Sequence, residues 1–226
     1  EVLETARTAG GYGVKVEGAE LDLNGVHKHR RKMVTTNAKG VAFLFKKNGI
    51  TLIQGTGRLA GPGTVEVTPD QGDPVTVRSG KIILATGSVV REMPGMEFDG
   101  ERIISSDHAL ELDRIPETML VLGAGAVGVE FASIYANFGS KVTLVEILPN
   151  LVPLEDQDLG KELEKAFRKR KIDVHTATRV QSVEKTDGGV KVLADKDGET
   201  VEMQAEVLLV AVGRSPVTSG LGLEKT

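Results

Sequence analysis

A glycine-rich turn between an apolar run and a helical pattern constrains the fold of this chain more than any other feature. The apolar run at residues 119–122 leads directly into Gly123, Gly125 and Gly128, and a helical pattern covers residues 126–138. In such a β-α turn the first glycine allows the tight turn, the second lets a pyrophosphate approach the backbone, and the third lets helix and strand pack closely. The phosphate then meets free N–H groups at the positive end of the helix. The predicted binding loop comprises six residues: Gly123, Ala124, Gly125, Ala126, Val127 and Gly128.

An acidic residue at the end of the next strand completes this pattern. Glu146 closes the run at residues 141–146 and lies roughly 20 residues beyond the turn, the spacing of a ribose-binding acid. A carboxylate there accepts hydrogen bonds from the ribose hydroxyls of NAD and repels the 2′-phosphate of NADP. Residues 147–155 contain no Arg or Lys to neutralise such a phosphate. The residues therefore predict an NAD(H) site, with FAD in the same fold and a ligand-free turn as the alternatives.

Alternating strands and helices after residue 116 predict an α/β fold with a parallel sheet. Helix 156–171 and strand 173–176 continue the βαβ unit, and a doubly apolar strand at 207–212 returns to the sheet. Between them lies a small three-stranded meander, predicted at residues 181–185, 189–193 and 200–204.

The first half of the chain has helical patterns followed by short strand patterns. A helix is predicted to end near residue 8, and Asn24 is the predicted cap of a helix that runs to about residue 47. The strands at 65–67 and 75–77 alternate like an exposed antiparallel pair. A short helix is predicted at residues 105–112. Two further strands are predicted at residues 50–54 and 81–85, the second apolar on both faces like a buried parallel strand.

Composition excludes several function classes. The sequence contains no cysteine, so disulfides, thiolate metal sites and thiol redox chemistry are not expected within these residues. The net charge of −4 arises from 28 basic and 32 acidic residues that are intermingled, which argues against a nucleic-acid partner. No apolar run approaches the roughly 18 residues of a membrane span, and the first residues lack signal-peptide features. A cytoplasmic protein is the resulting expectation.

No side chain stands out as catalytic or metal-binding. The four histidines have no metal-ligand spacing, and His27 and His29 lie in a basic cluster that we interpret as a solvated helix face. His108 is interpreted as a residue at the start of a helix rather than as a general acid. The turns at residues 85–88 and 211–214 follow apolar strands, which is where ligands bind in open α/β sheets.

Further motifs resemble the flavoprotein disulfide reductases, and within them most closely the dihydrolipoamide dehydrogenase family. The resemblance is carried by FLFKKNGI at 43–50, GTGRLAG at 55–61, ATGS at 85–88, the stretch 121–130, and AVGRSP at 211–216 with GLGL at 220–223.

The resemblance implies a Rossmann-like NAD-binding domain with a three-stranded meander, plus part of an FAD-binding domain. Its expected boundaries are 1–115 for the partial FAD domain, 116–214 for the NAD domain, and 215–226 for the return to the FAD domain. It assigns the glycine-rich turn to NADH. It also implies NAD contacts from Glu130, Val180 and Gly213, and FAD contacts from Gly57, Thr86, Gly87 and Ser88.

The family reaction passes electrons from dihydrolipoamide through a cysteine pair and FAD to NAD⁺. The resemblance implies a homodimer, lipoyl domains of 2-oxoacid dehydrogenase complexes as partners, and the mitochondrial matrix as the location in a eukaryote. The first FAD motif and the cysteine pair would precede residue 1, and the dimerisation domain would follow residue 226. A central fragment that is inactive alone is therefore expected. The alternatives are another flavoprotein disulfide reductase, such as a mercuric or glutathione reductase, or a non-catalytic NAD-binding module.

Overall fold

The computed structural model describes residues 2–225, which form two compact units. The first unit comprises residues 2–25 with Val90–Arg214, and the second comprises Val26–Val89 with residues 215–225. Glu1, which was included in the predicted N-terminal helix, lies outside the described residues. The domain boundaries at residues 116 and 215 stay predictions.

Helices and strands account for more than half of each unit. The helices are, in chain order, α1 (Val2–Thr8), a 3-10 helix (Ala9–Tyr12), α2 (Leu23–Lys47), α3 (Ser106–Ala109), α4 (Ala126–Phe138), α5 (Gln157–Lys169) and a 3-10 helix (Leu223–Lys225). The strands are β1 (Thr56–Gly61), β2 (Thr64–Thr68), β3 (Val75–Arg78), β4 (Ser88–Val90), β5 (Ile103–Ile104), β6 (Thr118–Leu122), β7 (Lys141–Val145), β8 (Asp173–His175), β9 (Thr178–Thr186), β10 (Gly189–Lys196), β11 (Glu199–Ala205), β12 (Val207–Val210) and β13 (Arg214–Pro216).

The centre of the first unit is a parallel sheet in the order β5-β12-β6-β7-β8. Helix α4 connects β6 to β7, and α5 connects β7 to β8, so the predicted α/β fold is confirmed. Parallel neighbours need such crossovers because the end of one strand and the start of the next lie at opposite edges of the sheet. The carboxyl ends of β12, β6 and β7 consequently meet at one edge, where ligands bind in sheets of this type.

Both faces of the sheet are covered. Met119 and Val121 of β6 belong to one buried cluster with Phe131 of α4 and Phe167 of α5. The alternate positions of the same strand, such as Leu120, belong to a second cluster that includes the inward side chains of the meander β9-β10-β11. Side chains alternate between the faces of a strand, so an uninterrupted apolar run such as β6 satisfies both layers at once. The three layers of helices, sheet and meander hold the carboxyl edge in a fixed shape.

A polar clasp joins the loop before β5 to the hairpin between β9 and β10. The Asp99 carboxylate accepts backbone N–H groups of Glu101, Arg102 and Ile103 at 2.8–2.9 Å, and Lys185 pairs with it at 2.7 Å. Arg102 donates to the carbonyl oxygens of Thr186 and Asp187. Partial burial alone would raise the pKa of Asp99, but the bonds from Lys185 and the backbone outweigh it and hold that pKa well below its usual range.

The second unit contains the antiparallel sheet β1-β2-β3, in which Leu59 and Val67 are buried. The predicted antiparallel pair at 65–67 and 75–77 is confirmed as β2 and β3. The backbone N–H of Leu59 donates to the carbonyl of Leu221 at 2.7 Å, which fixes the C-terminal segment against β1.

Three predictions for the first half of the chain are wrong. Residues 50–54 and 81–85 form no strand, and the supposedly buried Ile83 is 91% exposed. An apolar run becomes a strand only when a second segment supplies its ladder hydrogen bonds, and within residues 2–225 neither run has one.

The cap of α2 is Asp22, whose carboxylate accepts the N–H of Gly25 at 3.0 Å, and Asn24 is already helical. A carboxylate on the residue just before a helix is well placed to accept an N–H of the first helical turn.

Several exposed apolar side chains accompany these segments. Helix α2 buries no residue, and Phe43 and Leu44 on it are 64% and 52% exposed. Within the described residues no helix combines the length and the apolar character needed to span a membrane.

Candidate functional site

A cavity of about 640 Å³ opens at the carboxyl edge of the parallel sheet in the first unit. It is lined by the segments that follow β12, β6 and β7, by the start of α4 and by the start of β9. The lining residues include Val90, Arg91, Met93, Ser106, Leu122, Gly123, Gly125, Ala126, Val127, Glu146, Ile147, Leu148, Val152, Leu154, Glu155, Thr178, Arg179, Val180, Ala211, Val212, Gly213 and Arg214.

The three glycines of the turn have separate mechanical roles. Gly123 has φ +101°, and a Cβ there would lie 2.6 Å from the carbonyl oxygen of Ala211. At Gly128 a Cβ would lie 1.8 Å from the carbonyl oxygen of Gly123, so only glycine lets α4 start this close to β6. At Gly125 a Cβ would meet nothing within 4 Å and would occupy open space. That space is where a ligand can approach the backbone most closely, in agreement with the roles predicted for a dinucleotide turn.

The start of α4 faces this open space. Gly125 is its N-cap and supplies no side-chain hydrogen bond, and no acidic residue lies in the first turn. Ala126 and Val127 line the cavity with the backbone of that turn. The positive end of a helix dipole and its unsatisfied N–H groups therefore point toward a volume suited to an anion.

Glu146, the predicted ribose-binding acid, also makes structural hydrogen bonds that the sequence did not indicate. The residue lines the cavity and is only 6% exposed. One oxygen accepts the N–H of Ala124 at 2.7 Å, and the other accepts the N–H of Leu148 at 2.9 Å. Each carboxylate oxygen has further lone-pair capacity for a ribose hydroxyl. The carboxylate thus also holds the turn and the loop after β7 together, a role that motif spacing does not indicate.

Two residues beside the glycine turn and the loop after β7 have strained backbone conformations. Val152 has φ +43° and donates to the carbonyl of Ala124 at 2.8 Å, and Ala177 has φ +50° and donates to the carbonyl of Leu148 at 2.9 Å. A left-handed conformation is rare for a β-branched residue such as valine, and such strain concentrates at functional sites. The two residues fix the loops on either side of Glu146.

Three arginines line the cavity, of which only Arg214 lies in a turn that the sequence pattern indicated as a ligand site. The backbone N–H of Arg91 donates to the carbonyl of Gly213 at 3.1 Å. The guanidinium of Arg214 lies 4.0 Å from the carboxylate of Asp107. Arg179 lies at the start of β9 and is exposed. A search for basic residues directly after β7 does not find them because each arrives through a long-range connection.

The predicted site residues fall into three groups. Of the predicted NAD contacts, Gly123, Gly125, Ala126, Val127, Glu146, Val180 and Gly213 line the cavity, whereas Ala124, Gly128 and Glu130 do not. Ala124 and Gly128 are buried within the turn, and Glu130 is exposed on α4.

The predicted FAD contacts Gly57, Thr86, Gly87 and Ser88 belong to the second unit. The Thr86 hydroxyl there donates to the carbonyl of Val217 at 2.8 Å, and the carbonyl of Gly87 accepts the Val217 N–H at 3.1 Å.

His108 lies in the first turn of α3, which confirms its interpretation as a helix-start residue. Ser105 and His108 form a capping box, with the serine side chain accepting the histidine N–H and the imidazole Nδ1 accepting the serine N–H. Among the described residues no group of three or more His, Asp or Glu side chains is arranged to hold a metal ion.

Comparison with known proteins agrees with this geometry. A family model described as pyridine nucleotide-disulphide oxidoreductase matches residues 4–226. The dihydrolipoamide dehydrogenase of Chaetomium thermophilum is 43% identical over 216 residues, which are 94% of this chain and 43% of that protein. The mitochondrial dihydrolipoyl dehydrogenase of Dictyostelium discoideum is 40% identical over 217 residues, 94% of this chain and 44% of that protein.

A solved structure has the same fold over the whole chain. The crystal structure of LpdA from Mycobacterium tuberculosis superposes with a TM-score of 0.86 at 29% identity, covering 100% of this chain and 49% of LpdA. The chain spans about half the length of the curated relatives it matches. From the family model and the shared α/β fold together, the chain belongs to the pyridine nucleotide-disulphide oxidoreductase family.

Proposed function

We propose that this chain is the NAD(H)-binding part of a dihydrolipoamide dehydrogenase-type flavoprotein. One observation carries the proposal: the open glycine turn and the Glu146 carboxylate line the same cavity of about 640 Å³ at the carboxyl edge of a parallel sheet. A dinucleotide needs an anion site and a ribose acceptor on neighbouring strands, which the start of α4 and the Glu146 carboxylate would supply.

The bound pyrophosphate would lie over Gly125, where no Cβ restricts its approach, and would accept N–H groups from the first turn of α4. The adenosine ribose would donate to the free lone pairs of Glu146. Val180 and Gly213 would flank the two halves of the dinucleotide. Glu130, exposed on α4, is proposed as a contact of the nicotinamide half on the strength of the resemblance alone.

FAD belongs to the proposal for the complete protein. By resemblance, Gly57, Thr86, Gly87 and Ser88 would lie beside it, all of them in the second unit. When bound, FAD would carry electrons between a disulfide and the nicotinamide. The family reaction converts dihydrolipoamide and NAD⁺ into lipoamide and NADH, and it requires a cysteine pair that residues 1–226 do not contain. We therefore expect no lipoamide activity from this chain alone.

The proposed partners follow from the same reaction. They are a second copy of the protein and the lipoyl domains of 2-oxoacid dehydrogenase complexes. The proposed location is the cytoplasm, or the mitochondrial matrix in a eukaryote, since a relative such as that of Dictyostelium discoideum is named mitochondrial.

Equilibrium titration of NADH, followed by its fluorescence, tests the binding proposal. We expect saturable binding to the 226-residue chain and at least a tenfold weakening in Gly125→Val, because the added side chain fills the space that the pyrophosphate needs. Gly188→Val is the matched control, since a Cβ there also meets nothing within 4 Å but lies in the hairpin between β9 and β10, outside the cavity lining. Equal affinities of both variants would contradict the proposed site.

The substrate proposal is tested on the native polypeptide purified from its source. Its intact mass shows whether residues 1–226 are part of a longer chain, and NADH formation from dihydrolipoamide should exceed turnover of glutathione disulfide or mercuric ion with NADH. A native polypeptide of 226 residues that binds NADH without turnover would instead support a nucleotide-binding module.

A further inference from the structure

The charged residues of the cavity are divided between its two ends. Strand order places the segment after β12 on one side of the glycine turn and the segment after β7 on the other. Since neighbouring strands lie about 4.8 Å apart, these two segments are separated by about 10 Å across the sheet. Arg91 and Arg214 belong to the β12 side through Gly213, and Glu146 belongs to the β7 side.

The acid identifies which end holds which half of the nucleotide. A carboxylate after the second strand of the βαβ unit binds the adenosine ribose, so the adenosine half lies toward β7 and the nicotinamide half toward β12. The 2′-hydroxyl, which carries the extra phosphate in NADP, is therefore on the Glu146 side. Arg91 and Arg214, which lie near Gly213, are therefore at the opposite end of the cavity from that phosphate.

Arg179 is a cation on the Glu146 side. The N–H of Thr178 donates to the backbone carbonyl of Glu146 at 2.9 Å, so the residue before Arg179 is bonded directly to the residue that carries the acid. The Ala177 bond to the carbonyl of Leu148 and the left-handed conformation of Ala177 fix the first residues of β9 in this position. The Thr178 residue itself is fully buried, whereas Arg179 is exposed and lines the cavity.

We propose that Arg179 is the cation that a nucleotide 2′-phosphate meets in this cavity, so that the choice between NAD(H) and NADP(H) is set by Glu146 opposed by Arg179. The inference rests on the proposed function, because it presupposes a dinucleotide in the cavity. An arginine is suited to this task since its planar guanidinium binds phosphate oxygens in a bidentate manner. Glu155 also lines the cavity and adds a second negative charge that disfavours the phosphate.

Binding of NADH and NADPH to the 226-residue chain and its variants, measured by nucleotide fluorescence and calorimetry, tests this assignment. In Arg179→Met we expect NADPH affinity to fall about tenfold, while NADH affinity changes less than threefold. In Glu146→Gln we expect NADPH affinity to rise, and in the double variant Glu146→Gln/Arg179→Met that rise should disappear. The contribution of Arg179 should also shrink as salt is raised from about 0.05 to 0.5 M, because exposed charges are screened.

The control is Arg31→Met, which removes one exposed arginine from helix α2 without touching the cavity lining. It should leave both affinities unchanged, and melting curves should be the same for the parent, Arg31→Met and Arg179→Met. Where NADPH binding to the parent is below detection, the comparison is made in the Glu146→Gln background, and absence of detectable NADPH binding there overturns the proposal.

The outcomes separate this inference from the function on which it rests. Failure of the parent to bind either nucleotide contradicts the NAD(H) site itself. If NADH binds and the ratio of NADH affinity to NADPH affinity is the same in the parent and in Arg179→Met, only the proposed role of Arg179 is contradicted. Equal weakening of both nucleotides by Arg179→Met overturns the inference as well, since it would mean that the arginine attracts the dinucleotide without distinguishing the 2′ position.

Discussion

Replacing Glu146 should destabilise the first unit even when no nucleotide is present. The carboxylate accepts two charge-assisted hydrogen bonds, from Ala124 at 2.7 Å and from Leu148 at 2.9 Å, and the residue is 6% exposed. In Glu146→Ala both backbone N–H groups lose their acceptor. A bond to a charged group contributes about 1.5–3 kcal/mol, and a buried donor left unpaired costs about 1–3 kcal/mol.

The two donors do not contribute equally. Ala124 is fully buried, so its N–H stays unpaired, whereas Leu148 is 46% exposed and water can replace the lost acceptor. Relief from burying the carboxylate offsets part of the loss. We therefore expect Glu146→Ala to lower the free energy of unfolding by about 2–4 kcal/mol, a large part of the roughly 5–15 kcal/mol of an ordinary domain.

Urea denaturation followed by circular dichroism, without nucleotide, measures this difference. Glu101→Ala is the matched control, because it removes an exposed glutamate side chain from the same unit and should change the free energy of unfolding by less than about 0.5 kcal/mol. A loss below about 0.5 kcal/mol in Glu146→Ala would refute the bracing role and leave Glu146 as a ligand contact only.

Two further predictions concern polar groups away from the cavity. Asp99→Asn should destabilise the first unit by about 1–3 kcal/mol at neutral pH, since it weakens the ion pair with Lys185. The folded state depresses the pKa of Asp99, so the difference in free energy of unfolding between the parent and Asp99→Asn should be complete above the unfolded pKa near 4. It should shrink as pH falls below that value, and a difference that grows on acidification would contradict the clasp. Tyr135→Phe should cost about 1–2 kcal/mol, because the phenol donates to the carbonyl of Ala109 at 2.6 Å in the core. Burial raises the pKa of Tyr135 to about 12, which tyrosinate absorbance at alkaline pH checks; ionisation of Tyr135 near pH 10 in the folded protein would contradict this burial.

Local pattern predicted the βαβ unit well because its determinants are local. The helix at 126–138 has the predicted bounds, and the strands on either side agree within one residue. The three glycines and Glu146 were also identifiable, since a fixed turn geometry requires them at fixed spacing. Arg179 was not identifiable, because its place depends on how the meander packs against the segment after β7.

Predictions failed where structure depends on a partner segment. The apolar runs at 50–54 and 81–85 have strand-like composition, but composition does not specify which segment pairs with them. The cap of α2 was misassigned because Asp22 and Asn24 are both good caps, and the choice depends on where the extended chain turns into the helix. The strain at Val152 and Ala177 has no sequence signature, since neither residue type favours a positive φ.

Strand β9 is both a wall of the cavity and the edge strand of the meander β11-β10-β9. Strand β10 forms ladders with both β9 and β11, and the three strands pack one apolar face against the sheet. We therefore expect their amides to exchange with solvent through common openings that also disrupt the cavity. If NADH binds as proposed, a concentration of 100 times its dissociation constant adds about 2.7 kcal/mol to the cost of such an opening. Deuterium uptake would then slow by about a hundredfold even in β11, which contributes no residue to the cavity lining. Exchange in the meander would therefore show whether NADH occupies the cavity.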